Sequence, residues 1–250
     1  MKHEEHSIQR WISQSRDRVD LWVRFINSKG IQKMVEVGVY RGDFAERILK
    51  DCPSIRKYYM LDPWRHLSDW NKPANQKDDV FESFLKETLK KTDFAQDKRI
   101  ILRGKTTEVI DDIANDELDF AYIDGDHTLR GISIDLLSIY PKIKPGGWIG
   151  GDDFHNTIWQ HSSSFEPTMV FPYAVYFAEA MNVPIYALPY GQFLIEKDPE
   201  KSFSFKDTTG KYQNFTLQKE FLPRKYWQVK LTSGRKRGTK ILSKIRQLLF

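Results

Sequence analysis

Residues 34–49 read MVEVGVYRGDFAERIL. Met34 to Val37 is a short apolar run that ends in a glycine-bearing turn, and from Phe44 to Leu49 the apolar residues return at helical spacing. The stretch predicts a strand, a loop and a helix. Glu36 stands near the end of the strand, and Gly38 and Gly42 stand where the backbone can come close to a ligand. The spacing disfavours one ligand class: a nicotinamide-binding loop calls for G-x-G-x-x-G, whereas here one glycine is at 38 and the next at 42.

The alternation continues downstream. Tyr58 to Leu61 is a second strand ending at Asp62, a carboxylate placed to accept hydrogen bonds from a ribose diol. A polar loop with Trp64, Arg65 and Trp70 follows, and Phe81, Phe84, Leu85 and Leu89 mark a helix. Those tryptophans could stack on an adenine or a sugar, although buried packing is the commoner fate of the residue. Ile100 to Leu102 is a third strand, Ile110 and Ile113 belong to a short helix, and Leu118 to Ile123 runs into Asp124. Ile132 to Ile139 is helical, and Trp148 to Gly151 leads a fifth strand into Asp152 and Asp153. Pro184 to Leu188 and Gln192 to Glu196, separated by Pro189-Tyr190-Gly191, read as an antiparallel hairpin. Upstream, Ile8, Trp11, Ile12, Val19, Trp22, Val23 and Ile26 give residues 4–27 the pattern of an amphipathic helix, stopped at Ser28-Lys29-Gly30. The expected fold is α/β and Rossmann-like: a mostly parallel seven-stranded sheet, helices on both faces, a terminal antiparallel hairpin, and ligands at the carboxyl ends of the strands.

Composition narrows the partners. The net charge of +5 is concentrated: residues 224–250 hold nine Lys or Arg and no acid, leaving 30 basic against 34 acidic residues in the rest. A mildly acidic body is a poor binder of phosphate backbones, so no nucleic-acid partner is expected. The tail, with Arg235-Lys236-Arg237 followed by Ile241, Leu242, Ile245, Leu248 and Leu249, is basic and amphipathic. It suits a peripheral membrane or partner contact, or a terminal helix covering its own domain. Cys52 is the only cysteine, which excludes an internal disulfide. With no apolar signal-length segment, the expected location is cytoplasmic, with the membrane surface as an option for the tail.

Two further motifs carry chemistry. Residues 122–127 read YIDGDH and residues 144–154 read KPGGWIGGDDF, which puts acidic clusters at the ends of neighbouring strands. Together with E-x-G-x-x-x-G at 36–42 and the acid at 62, they resemble class I S-adenosylmethionine-dependent methyltransferases over roughly residues 30–197. The resemblance implies that Glu36, Gly38 and Gly42 line the methionine and ribose side of the cofactor, that Asp62 holds the ribose hydroxyls, and that Lys105 and Thr106 lie near the adenine. It divides the chain into a helical cap at 1–29, a cofactor-binding catalytic domain at 30–200 and an extension at 201–250. The strand-four loop also lacks the N-P-P-Y or D-P-P-Y motif typical of nucleic-acid amino methyltransferases.

Carboxylates crowded at one rim repel each other, and magnesium or another hard divalent cation between them would relieve the repulsion. Helix capping is the alternative for Asp126 and Asp153 taken singly. The pattern resembles the metal-dependent O-methyltransferases, a group including the catechol enzymes and, closer to this chain, the macrolide- and aminocoumarin-sugar enzymes. That resemblance implies Asp124, Asp152 and Asp153 as metal ligands. The catechol enzymes have asparagine where this chain has Asp153, which favours a sugar acceptor. His127 matches the base of the macrolide-sugar enzymes and is preferred here; Asp126 matches that of the aminocoumarin-sugar type. His155, Asn156 and His161 follow the second cluster and could shape an acceptor pocket or lie in a solvated loop. The expectation is therefore metal-dependent methylation of a sugar hydroxyl in a glycan or glycosylated natural product. Methylation of a phenolic or catechol acceptor, or non-catalytic binding of the cofactor or a glycan, are the alternatives.

Overall fold

The computed structural model describes residues 2–158, 160, 161 and 164–212. The basic tail, and with it the expectations attached to residues 213–250, lies outside the described residues. A compact unit spans Met1–Gln213.

The amino terminus forms two helices, α1 (Lys2–Gln14) and α2 (Arg18–Lys29), where the apolar spacing predicts one. Local polar groups break it. The Ser15 hydroxyl donates to the Ile12 carbonyl at 2.7 Å, and Asp17 caps α2 by accepting from the Asp20 N–H at 2.8 Å. Asp20 in turn accepts from the Arg16 N–H at 3.0 Å, so the hydrogen bonds of a fresh helix start replace those of a continuing helix. Gly30 ends α2 in the left-handed conformation, φ 61°.

The alternating units follow as β1 (Lys33–Val37), α3 (Asp43–Asp51), β2 (Lys57–Asp62), α4 (Asp78–Lys91), β3 (Arg99–Arg103), α5 (Thr106–Val109), β4 (Leu118–Ile123), α6 (Leu129–Ile139) and β5 (Ile143–Gly151). The chain then forms α7 (Val170–Ala180), β6 (Pro184–Leu188), β7 (Gln192–Lys197) and β8 (Ser204–Asp207). Among the described residues these strands form one sheet in the order β3-β2-β1-β4-β5-β7-β6-β8. Only β7 is reversed: it runs antiparallel to both β5 and β6, as the hairpin reading predicts. The sheet has eight strands instead of the expected seven, because β8 pairs parallel to β6 within the stretch assigned to the carboxyl-terminal extension. Helix α7 has no counterpart in the sequence reading. Its residues, VFPYAVYFAEA, are apolar nearly all round, so they show no one-sided helical stripe.

Strand order reverses between β1 and β4, the place where open α/β sheets bind ligands. There the two strand ends close on each other: Asp124 N–H donates to Val37 O at 2.8 Å. A Cβ on Gly38, whose φ is 88°, would lie 2.0 Å from the Asp124 carbonyl oxygen, so no larger residue fits.

Helix α2 packs on the sheet through Trp22 and Phe25, both fully buried, with Phe120, Tyr122 and Trp148 around them. Trp22 rests directly on β5, where a Cβ on Gly150 would meet its ring at 2.2 Å. No helix among the described residues is long and apolar enough to cross a membrane.

Gly150→Ala is therefore expected to destabilise the protein by ~1–3 kcal/mol, the usual cost of overpacking a filled core. Urea denaturation measures it, and an unchanged midpoint would show that α2 does not rest on β5.

Candidate active site

Parallel pairing of β4 with β5 sets Ile123 opposite Gly151, so Asp124 and Asp152 leave the sheet side by side. Asp152 N–H continues the ladder to Ile123 O at 3.0 Å. Asp153 follows with φ 57°, in the left-handed region that side chains rarely adopt, although aspartate tolerates it better than most. The donor atoms of Asp124, His127 and Asp153 all lie within 4.8 Å of one another.

Positive groups from two directions hold the carboxylates together. His127 Nδ1 is in close contact with Asp153 Oδ2. Its Nε2 lies 3.3 Å from Asp124 Oδ1, near enough for ion pairing although not aligned as a hydrogen bond. Burial works against the imidazolium, but the two aspartates outweigh it and push the His127 pKa up to about 10. Asp153 is correspondingly held below the usual carboxylate range: burial alone would raise it, and His127 overrides that. From the other side, Arg18 at the start of α2 reaches Asp124 Oδ2 at 3.1 Å and closely contacts Asp152.

Asp152 has a further support. It accepts from Gln192 Nε2 at 2.5 Å, and the buried Gln192 accepts from Trp22 Nε1 at 2.7 Å and Tyr122 Oη at 3.2 Å. The carboxylate is thus oriented through β7 by the same tryptophan that seats α2. Neither Arg18 nor Gln192 is in a readable motif; each is far in sequence from the aspartate that it meets.

Asp126 is engaged elsewhere. Its oxygens accept from the Thr128 N–H, the Thr128 hydroxyl and Trp70 Nε1, each at 3.0 Å, while Thr128 caps α6 through the Gly131 N–H. The cap of α6 is thus Thr128, and Asp126 braces that cap without capping the helix itself. Trp64 is buried, donating to the Tyr40 carbonyl at 2.8 Å. His155 Nε2 lies 3.8 Å from Asp153, Asn156 Nδ2 approaches the Lys211 carbonyl at 3.5 Å, and His161 meets the Phe165 ring with 6.0 Å between centroids.

The residues expected to meet a cofactor surround the β1 and β2 ends. Asp62 accepts from the Tyr40 and Trp64 N–H groups at 2.8 and 2.7 Å, fixing the glycine loop from the neighbouring strand. Gly42 caps α3 with φ 74°. Glu36 is buried and accepts from Tyr58 Oη at 2.7 Å, and burial pushes its pKa well above the ordinary carboxylate value. Lys105 precedes α5, and the buried Thr106 donates to Asp135 at 2.6 Å. Asp135 was not anticipated from the sequence.

Two loops meet beside the cluster. The loop after β2 reaches the segment before α7 through Lys72, which is buried and donates to the Glu166 carbonyl at 2.7 Å, and through Asn71, which donates to the Ser164 carbonyl at 2.9 Å. Met169 N–H donates to the His127 carbonyl at 2.8 Å, which ties that segment to the first acidic loop.

Burial pushes the Asp135 carboxyl from an ordinary value near 3.8 up to about 7, against the hydrogen bond from Thr106. Between those pH values the folded chain keeps a proton that the unfolded chain has lost, so this group's contribution to stability falls as pH rises and levels off above 7. Asp135→Asn removes the titration. Its stability relative to the parent should improve by at least ~1 kcal/mol between pH 5 and pH 8, the worth of somewhat less than one pKa unit. Urea denaturation at the two pH values checks this, and a pH-independent difference would contradict it.

The family described as "Methyltransferase domain" matches residues 35–154, the span from β1 through the second acidic cluster. No curated protein matches the chain. Among solved structures, a candidate caffeoyl-CoA O-methyltransferase from Staphylococcus aureus aligns with 14% identity and a TM-score of 0.56, covering 79% of this chain and 94% of that one. An O-methyltransferase from Bacillus cereus in complex with SAH aligns with 14% identity and a TM-score of 0.54, covering 77% and 88% of the two chains. An SAH-bound methyltransferase from Podospora anserina aligns with 12% identity and a TM-score of 0.50, covering 72% and 77%. Identities this low speak for the fold alone. Residues 35–154 thus match a methyltransferase domain, and the described residues have the Rossmann-like methyltransferase fold.

Proposed function

We propose that the protein is an S-adenosylmethionine-dependent, divalent-metal-dependent O-methyltransferase that acts on a sugar hydroxyl of a glycan or glycosylated natural product. The observation that carries this reading is the gathering of Asp124, His127 and Asp153 into one cluster beside the β1–β4 crevice, with Asp152 brought to Asp124 by their shared contact with Arg18. The donor set fits a hard cation such as magnesium: three carboxylates face two cationic side chains, so negative charge is left over even with Arg18 and His127 in place. Asp153, where the catechol enzymes have asparagine, supports a sugar acceptor.

In this reading Glu36, Gly38, Gly42, Asp62, Lys105 and Thr106 form the cofactor side. Gly38 lets the two strand ends approach, and Asp62 stiffens the loop that follows. The cofactor supplies a methyl group already activated on sulfonium, so the chain's task is to align the acceptor oxygen and remove its proton. Asp124, Asp152 and Asp153 would hold the metal, which when bound supplies positive charge that lowers the cost of deprotonating the acceptor.

His127 is the preferred base. While the aspartates around it are neutralised only from within the chain, it is held protonated and cannot accept a proton. Once their charge is taken up otherwise, burial, the opposing influence, favours the neutral imidazole that a base requires. With 18% of its side chain exposed, His127 keeps a path to an acceptor. Asp126 is the weaker candidate, since both of its oxygens already accept hydrogen bonds. The loops joined by Lys72 would wall the acceptor from water. The tail could add a contact with a membrane or a partner.

The experiment is methyl transfer to a panel of sugar and catechol acceptors, with magnesium and with EDTA. Turnover of a sugar acceptor that EDTA abolishes is expected, and Asp124→Ala should cost ~100-fold or more while leaving SAH binding intact. Turnover of catechols alone would move the acceptor to the phenolic class. Cofactor binding without turnover on any acceptor would point to a non-catalytic domain, and full activity in EDTA would remove the metal.

A further inference from the structure

Arg18, like Gln192, lies outside residues 35–154, the stretch that matches a methyltransferase domain, and it is a cation that the amino-terminal helices bring to the aspartates. It is not a free surface side chain. Asp17 caps the helix at the preceding position, Trp22 one turn on is fully buried against Gly150, and Trp22 Nε1 is bonded to Gln192. The backbone of Arg18 is therefore fixed relative to β5, and the guanidinium is delivered to one place.

That place is the gap between two carboxylates. A single nitrogen, Nη1, contacts both Asp124 Oδ2 and Asp152 Oδ2. Arginine usually meets a carboxylate with its two-pronged fork. Here it acts as a point of charge between oxygens from two strands, as a metal ion would. The same two oxygens cannot serve Nη1 and a metal at full strength. Arg18 also has a way out, since 37% of its side chain is exposed and it moves on several rotatable bonds.

We propose that Arg18 is a tethered counter-cation: it competes with the divalent cation for Asp124 and Asp152, holds the aspartate pair together when no metal is bound, and so sets the metal affinity of the site. The inference rests on the metal-dependent reading given above. It also links the amino-terminal helices to the metal, because the guanidinium must leave the aspartates before both can act as ligands, and α2 then loses its polar anchor at the β4 and β5 ends.

The test is Mn2+ binding to the full-length protein without cofactor, followed by loss of the free-ion electron paramagnetic resonance signal, together with melting temperatures in EDTA and in Mn2+. Arg18→Gln is expected to bind Mn2+ at least tenfold more tightly than the parent, to melt lower in EDTA, and to gain more from added Mn2+. Arg24→Gln, a turn and a half along α2 and paired with Asp20, controls for general charge and should leave the affinity as it is. Should Arg18→Gln not fold, Arg18→Lys, which keeps the charge but loses the reach, serves in its place and should also bind more tightly than the parent. Equal Mn2+ affinity in the parent and the Arg18 variant, or an equal gain in Arg24→Gln, would overturn the proposal while leaving the metal reading intact. Absence of Mn2+ binding in every variant would remove both.

Discussion

Three carboxylates at the ends of two neighbouring parallel strands stay together only if positive charge is placed among them, and much of the architecture around the site meets that demand. His127 reaches Asp124 and Asp153 from the loop after β4, and Arg18 reaches Asp124 and Asp152 from α2. Each cation needs its own support. His127 is held by the turn in which Asp126 and Thr128 start α6, and Arg18 by the seating of Trp22 on Gly150. The amino-terminal helices are therefore tied to β4 and β5 by electrostatics at one end and by aromatic packing along α2.

Glu36, Asp62 and Asp135, buried on the flanks of the cluster, follow a different rule. Glu36 and Asp135 each accept one hydroxyl hydrogen bond and are pushed up by burial. Asp62 is also buried but accepts the Tyr40 N–H of the glycine loop and the Trp64 N–H of its own loop, so it joins the two loops. Asp124, Asp152 and Asp153 meet cations at the β4 and β5 ends, whereas Glu36 and Asp135 meet hydroxyls on the flanks.

Local sequence carried most of the sheet. The acids at 62, 124, 152 and 153 fall at or just after the ends of their strands, because a strand buried on both faces reads as a largely apolar run that is easily bounded. What local sequence did not reveal has physical causes. The break at Ser15–Asp17 rests on side-chain hydrogen bonds that compete with helix continuation, while the apolar spacing passes across it unchanged. Helix α7 lacks a polar face, and β8 is four residues of mixed character recruited by the edge of β6. The aspartates of the candidate site were legible, yet Arg18 and Gln192 were not, since only the tertiary fold brings α2 and the start of β7 to them. Asp126 resembles a base in the motif, but in three dimensions its oxygens face Thr128 and Trp70.

The central claim is that Asp124, Asp152 and Asp153 form a divalent cation site beside the cofactor crevice. Anomalous diffraction from crystals grown with Mn2+ and SAH tests it most directly. The account predicts a manganese peak within coordination distance of the three carboxylates, with the Arg18 guanidinium withdrawn from them. SAH bound in the crevice, no peak at the aspartates and Arg18 still between Asp124 and Asp152 would contradict it.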